Sequence, residues 1–221
     1  MKKILYASLL LLTLNGCSEL EQVLTELEQA IPENSNSQSL TYHDIRPVFW
    51  GQVYSNGGNT LYCEQSFGKR HGRNINIEHV FPMSWVTKSL KCGTRNQCRN
   101  SSDRFNRIEA DLHNLYPALA EINDLRGAMS FVIIKGEKRV RKGCDFEVDK
   151  RSYKAEPRPE VRGNIARAML YMADNYKELK LFKSQRKLME KWHREDPPDS
   201  EEKRRNRLIE SIQGNRNPYI G

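Results

Sequence analysis

Asn76-Ile77-Glu78-His79-Val80-Phe81-Pro82 is the stretch on which the fold turns. Ile75 and Ile77 alternate with polar neighbours over residues 73–80, a period-two pattern that predicts a strand, and Pro82 closes it. An acidic residue and a histidine stand side by side at its end. A carboxylate offers a hard oxygen to a divalent cation, and a neutral imidazole can take a proton from water near neutral pH. A Glu-His pair alone is weak evidence, because His79 reads as well as a hydrogen-bonded, half-buried residue.

A second cluster lies downstream. Ser102 or Asp103 can cap a helix carrying Phe105, Ile108 and Leu112, which must stop before Pro117. A further helix is predicted over 118–129, with Leu119, Ile122, Leu125 and Met129 on its inner face. Asn123 sits in the middle of that helix, where asparagine is a poor choice, and borders the apolar stripe. A strand bearing a carboxylate and a base, crossed by a helix bearing an amide oxygen, is a minimal one-metal hydrolytic site.

Residues 131–134 read as a short buried strand, and the remainder as mainly helical. Pro159 suits a first turn, followed by the stripe Val161, Ile165, Ala168, Met172 and Tyr176. Leu188 and Trp192 mark another helix, broken at Pro197-Pro198. Asp199 with Glu202 forms a capping-box start for a last helix through Leu208, Ile209 and Ile212. The basic run 203–207 reads as a solvated helix face. The expected class is α+β with helix dominating.

The chain has 221 residues, 38% of them hydrophobic, enough for one domain with a core. Its 36 basic and 28 acidic residues leave a formal +8, which favours a polyanionic partner, either nucleic acid or an anionic membrane. Lys2 and Lys3 precede an apolar stretch over 4–14, too short to span a bilayer but suited to a secretory signal. Leu14-Asn15-Gly16-Cys17 resembles a bacterial lipobox. The expectation is a lipoprotein signal over 1–16, a lipid on Cys17 that attaches the chain to membrane, and a tether over 17–39; an ordinary cleaved signal is the alternative. The tether joins an amphipathic segment over 19–31 to a polar linker over 32–39. The globular domain is expected over 40–221.

With Cys17 set aside, Cys63, Cys92, Cys98 and Cys144 remain, an even number that fits an oxidising compartment. Two disulfides are expected. The short 92–98 loop favours that local pair and leaves Cys63 with Cys144; a four-cysteine zinc site is the alternative.

Several motifs in register carry a family resemblance. They are Glu78-His79-Val80 with Pro82, the run from Glu109-Ala110-Asp111 through Leu112-His113-Asn114-Leu115, and Glu121-Ile122-Asn123. Arg162-Gly163-Asn164-Ile165-Ala166-Arg167 and Gln213-Gly214-Asn215-Arg216-Asn217-Pro218-Tyr219 continue the series. Together they resemble the bacterial endonuclease I family of exported, non-specific DNA/RNA nucleases, from about residue 62 to the C-terminus. The resemblance implies a ββα-metal (His-Me finger) core with surrounding helices and one divalent cation, Mg²⁺, for which Mn²⁺ or Ca²⁺ can substitute in binding. Glu78 and Asn123 would be its ligands and His79 the general base, oriented by a backbone carbonyl. Arg95 would contact the cleaved phosphate, and Glu109 would act near the metal through water or else form an ion pair. His113 and Asn114 would orient the site or pack, and Arg162 and Arg167 would tie helices together.

The implied reaction is Mg²⁺-dependent, largely sequence-independent hydrolysis of DNA and RNA to 5′-phosphate and 3′-hydroxyl ends. The expected protein is monomeric and exported, as an outer-membrane lipoprotein facing the periplasm or the cell surface, or otherwise periplasmic or secreted. The alternative function is a non-catalytic basic envelope lipoprotein that binds nucleic acid. Ile77, Phe81 and Asp124 depart from the family's pattern; none of them removes a ligand or the base.

Overall fold

A computed structural model describes residues 40–136 and 138–221. The expected signal over 1–16, the lipid on Cys17 and the tether over 17–39 lie outside the described residues. Helix α1, Tyr42–Val48, opens with a capping box in which the Asp44 carboxylate accepts from the Thr41 N–H at 2.9 Å. Pro47 removes one rung of its ladder, and the chain runs on into a wider π turn, Phe49–Val53. Strands β1 (Gly58–Asn59) and β2 (Ser66–Phe67) form a small antiparallel hairpin.

The alternation at Ile75 and Ile77 does become a strand, β3, Ile75–His79. Three helices follow: α2 (Met83–Leu90), α3 (Arg95–Ser101) and α4 (Asp103–Glu109). Ser102 caps α4 as expected, its hydroxyl accepting from the Phe105 N–H at 3.1 Å. That helix ends at Glu109, so Leu112 belongs to a separate 3₁₀ turn, Leu112–Asn114.

Strand β4, Leu115–Leu119, then pairs antiparallel with β3, setting Glu78 opposite Tyr116 and His79 opposite Leu115. The expected helix over 118–129 is thereby shortened to α5, Ala120–Arg126. Pro117 hides β4 in the sequence, yet it fits the strand. Its carbonyl accepts from the Leu61 N–H at 2.8 Å, and the N–H it lacks would leave on that same side, away from β3.

The second sheet has the order β5-β7-β6, from Ser130–Phe131, Lys154–Pro157 and Phe146–Asp149. Only its first strand is foreshadowed in the sequence. The helical half comprises a 3₁₀ turn at Pro159–Val161, then α6 (Arg162–Asn175), α7 (Lys183–Glu195) and α8 (Ser200–Gln213). The Asp199–Glu202 capping box is present at the start of α8. Helix α6 is buried along most of its length and packs on α7. Gly163 is required there, because a Cβ would sit 2.1 Å from the Asp196 carbonyl oxygen. Trp192 of α7 is fully buried beside Phe131, and its truncation to alanine should cost about 3–5 kcal/mol.

The class is α+β with helix dominating, as expected. Cys63 pairs with Cys144 and Cys92 with Cys98, at Cα separations of 4.5 and 4.9 Å. These bonds overturn the four-cysteine zinc alternative. Of the basic run 203–207, Lys203, Arg204 and Arg207 are exposed, but Arg205 is buried and donates to the carbonyls of Leu112 and Leu115. No helix among the described residues is long and apolar enough to cross a membrane.

Candidate active site

The β3–β4 strand pair and α5 bring Glu78, His79 and Asn123 to one open cleft of about 760 Å³, which Arg95 also lines. Glu78 is 3% exposed, an expensive position for a carboxylate. Its Oε1 accepts from the Tyr62 hydroxyl at 2.6 Å and from Arg126 Nη1 at 2.8 Å, which leaves Oε2 free of side-chain donors. Burial raises the Glu78 carboxyl above its ordinary value, and the Arg126 charge only partly opposes it. Arg126 also donates to the carbonyls of His79 and Val80, so one buried guanidinium holds the side chain of residue 78 and the backbone of the next two residues.

His79 places Nε2 2.9 Å from the Glu109 carbonyl oxygen. A carbonyl can only accept, so Nε2 carries the proton and Nδ1 holds the free lone pair. Burial, aided by the Arg95 charge, lowers the His79 pKa to about 4, which keeps the imidazole neutral well into the acid range.

Asn123 turns its amide nitrogen toward β3, donating to the Asn76 side-chain oxygen at 2.8 Å and the Ile77 carbonyl at 3.2 Å. Its Oδ1 is thereby left as the available acceptor. Two hard oxygens on the cleft wall, Glu78 Oε2 and Asn123 Oδ1, suit a cation that keeps water and phosphate in its remaining positions, as Mg²⁺ does. Among the described residues no group of three histidine, cysteine or acidic side chains gathers for a metal. A metal held on this wall would rest on one carboxylate and one amide.

Glu109 is committed to other partners. Its side chain is fully buried and holds two arginines: Arg95 Nε donates to Oε1 at 2.5 Å, and Arg99 donates to both oxygens at 2.8 Å. Burial alone would raise the Glu109 carboxyl, but the Arg99 hydrogen bonds and the Arg95 charge bring it below its ordinary value. The ion pair is thus present, but inside the protein. Arg95 and Arg99 remain partly exposed and face the cleft, and the guanidinium carbons of both lie over the Tyr42 ring at 5.6 and 5.7 Å.

Asn114 clamps the backbone beyond His79, accepting from the Phe81 N–H at 2.6 Å and donating to the Phe81 carbonyl at 3.0 Å. His113 is turned away, with Nε2 3.1 Å from the Asn215 carbonyl. Arg167 joins α6 to α8 through Glu202, at 2.7 and 2.5 Å, whereas Arg162 joins α6 to β7 through Glu156. Asp124 reaches the cleft rim.

Five further residues shape the site without having been singled out in the sequence: Tyr42, Tyr62, Asn76, Arg99 and Arg126. Arg126 follows Asn123 by three positions on one helix face and Arg99 follows Arg95 by four, so spacing could have found both. Tyr42 and Tyr62 carry no local signal.

The Endonuclease I family model matches residues 12–221. This chain belongs to the endonuclease I family. It is therefore a nuclease, and the non-catalytic alternative loses its footing. An extracellular deoxyribonuclease of Aeromonas hydrophila is 43% identical over 164 residues, covering 72% of this chain and 70% of the relative. A periplasmic deoxyribonuclease of the same organism is 41% identical over 150 residues, covering 66% and 62%. An extracellular ribonuclease of Bacillus amyloliquefaciens is 38% identical over 181 residues, covering 72% and 56%. The matches thus span less than two thirds of the latter two relatives. Relatives in the endonuclease I family with extracellular and periplasmic names, together with two disulfides, mark this chain as an exported protein.

Proposed function

We propose that this endonuclease I family member hydrolyses phosphodiester bonds of DNA and RNA with little regard to sequence, using one divalent cation, Mg²⁺, and leaving 5′-phosphate and 3′-hydroxyl ends. The observation that carries this proposal is the pairing of His79 Nε2 with a backbone carbonyl, which leaves Nδ1 as a proton acceptor in the cleft that Glu78 and Asn123 also line. Glu78 and Asn123 would hold the cation. When bound, it would polarise the scissile phosphate and stabilise charge on the departing 3′ oxygen. His79 Nδ1 takes a proton from water as that water's oxygen bonds to phosphorus and the P–O3′ bond breaks in line, and the departing O3′ takes its proton from solvent water to become the 3′-hydroxyl. Arg95 grips a non-bridging phosphate oxygen, with Arg99 beside it, and the buried Glu109 carboxylate fixes where both forks point. Glu109 on this account is a positioning residue.

Nothing in the cleft resembles a base-reading helix laid for a groove, and its cationic wall engages what every nucleic acid shares. Cys17 lipidation and attachment to the outer membrane belong to the same proposal, supported by Leu14-Asn15-Gly16-Cys17, with the enzyme acting as a monomer. Incubation of the purified protein with supercoiled plasmid or a structured RNA, with Mg²⁺ and with chelator, tests the reaction. Mg²⁺-dependent nicking that His79→Ala abolishes is expected; intact plasmid and RNA with correctly folded protein and Mg²⁺ would refute it. Incorporation of labelled palmitate that Cys17→Ala removes tests the anchor.

A further inference from the structure

One wall of the cleft is built by the first described helix, and its composition goes beyond gripping phosphate. Tyr42, Arg46 and Trp50 recur at four-residue steps along α1 and its π turn, and all three line the cleft. Four residues of helix rise about 6 Å, close to the phosphate repeat of an extended strand. At the inner end of the row, the Tyr42 ring lies 5.0 Å from the His79 ring. At the outer end, Trp50 is held by a near-parallel His71 ring at 3.6 Å and 16°. Between them Arg46 is exposed and makes no ion pair among the described residues.

A wall needed only for phosphate would be served by cations. Flat aromatic and guanidinium groups spaced along a strand's length instead offer surfaces to flat partners, and in a duplex those partners are hidden in the stack. Unpaired bases present their faces freely.

Resting on the nuclease reading above, we infer that the Arg46–Trp50 end of this row is a binding subsite for unpaired nucleobases, which selects single-stranded or looped segments for cleavage at His79, while the Tyr42 ring, already engaged by Arg95, Arg99 and His79, joins that subsite to the base. The strand's phosphates run along Arg46, Arg95 and Arg99 while a base stacks at Trp50.

The test uses the full chain carrying His79→Ala, so that nothing is cut, with Mg²⁺ present. It is titrated with a mixed-sequence single-stranded oligonucleotide and with an abasic strand of the same length and charge. The base-bearing strand should bind at least roughly tenfold more tightly, the size of one stacked base, and should quench tryptophan fluorescence where the abasic strand does not. Trp50→Leu keeps apolar bulk; it should shrink that gap to less than about threefold while abasic binding persists, the persistence showing that the variant is folded. Arg46→Ala should weaken both strands. Equal affinity for the two strands in the parent, or an unchanged gap in Trp50→Leu, overturns the subsite. If Trp50→Leu does not fold, Trp50→Phe takes its place, and loss of the base-induced quench decides. Plasmid nicking by the wild-type chain is scored separately, so a protein that cuts but ignores bases refutes this inference alone, and one that does not cut refutes the nuclease chemistry.

Discussion

The Nε2 nitrogen of His79 and the main-chain oxygen of Glu109 lie 2.9 Å apart, while the Glu109 side chain is spent on Arg95 and Arg99. One residue thus holds His79 through its backbone and Arg95 and Arg99 through its carboxylate. Glu109→Gln should leave the His79 tautomer unchanged in nitrogen NMR spectra and lower kcat/KM by about 10-fold through loosened arginines. A change of tautomer in that variant would contradict this division.

Asn76, together with the Ile77 carbonyl, fixes which end of Asn123 faces the cleft. Asn76→Ala removes the 2.8 Å acceptor of the Asn123 amide and should weaken Mg²⁺ affinity by about 10-fold, with little loss of stability. Calorimetric titration of both proteins measures this. Equal Mg²⁺ affinity would show that the amide needs no such support.

Arg126 is the buried counter-charge of Glu78. Arg126→Met should destabilise the fold by about 3–5 kcal/mol, because a carboxylate and two carbonyls lose their donor in a dry site. Adding Glu78→Gln should recover part of that loss. Denaturant unfolding of the two single variants and the double variant gives the coupling, and strict additivity would mean that the pair does not interact.

Acid should weaken the fold through its buried histidines. Burial lowers both His79, to about 4, and His113. Between the ordinary histidine pKa of about 6.5 and the folded value, the unfolded chain binds a proton that the folded chain refuses, so stability falls as pH drops through that window. For His79 the loss by pH 4 is on the order of 3 kcal/mol. Glu78 acts oppositely, since its raised carboxyl takes up a proton more readily when folded. Unfolding at pH 7 and pH 4.5 should therefore show a shallower decline in His79→Ala than in the parent, and identical declines would refute it.

The two disulfides should separate stability from activity. Cys63–Cys144 closes 81 residues of chain, and its removal should cost about 4 kcal/mol. Cys92–Cys98 closes only 6 and should cost about 2 kcal/mol, but it brackets Arg95 and abuts Arg99. Paired cysteine-to-serine variants should show the larger fall in unfolding temperature for the first pair and the larger fall in kcat/KM, relative to stability, for the second.

What the sequence disclosed followed physical regularity. Ile75 and Ile77 reveal β3 through period two, and Asp199 with Glu202 announces α8 through a cap whose chemistry is local. Strand β4 stayed hidden because Pro117 reads as a breaker and Ala118 and Leu119 fit a helical stripe; only the pairing with β3 distinguishes them. Glu78, His79 and Asn123 were legible as chemical groups. Arg126 was legible only as a neighbour of Asn123 on one helix face; that it is buried follows from the carboxylate and two carbonyls that converge on it. Tyr42 belongs to a helix far from β3 in sequence, and its place beside His79 follows only from tertiary packing.

The main-chain oxygen at position 109 has one more consequence, for inheritance rather than chemistry. Codon changes exchange side chains and leave peptide carbonyls in place. A lineage can therefore vary the grip on Arg95 and Arg99 through the residue at 109 while the imidazole keeps its bearing. On the proposed roles, substrate hold and proton transfer would then be separately heritable traits, the first free to drift without loss of the second.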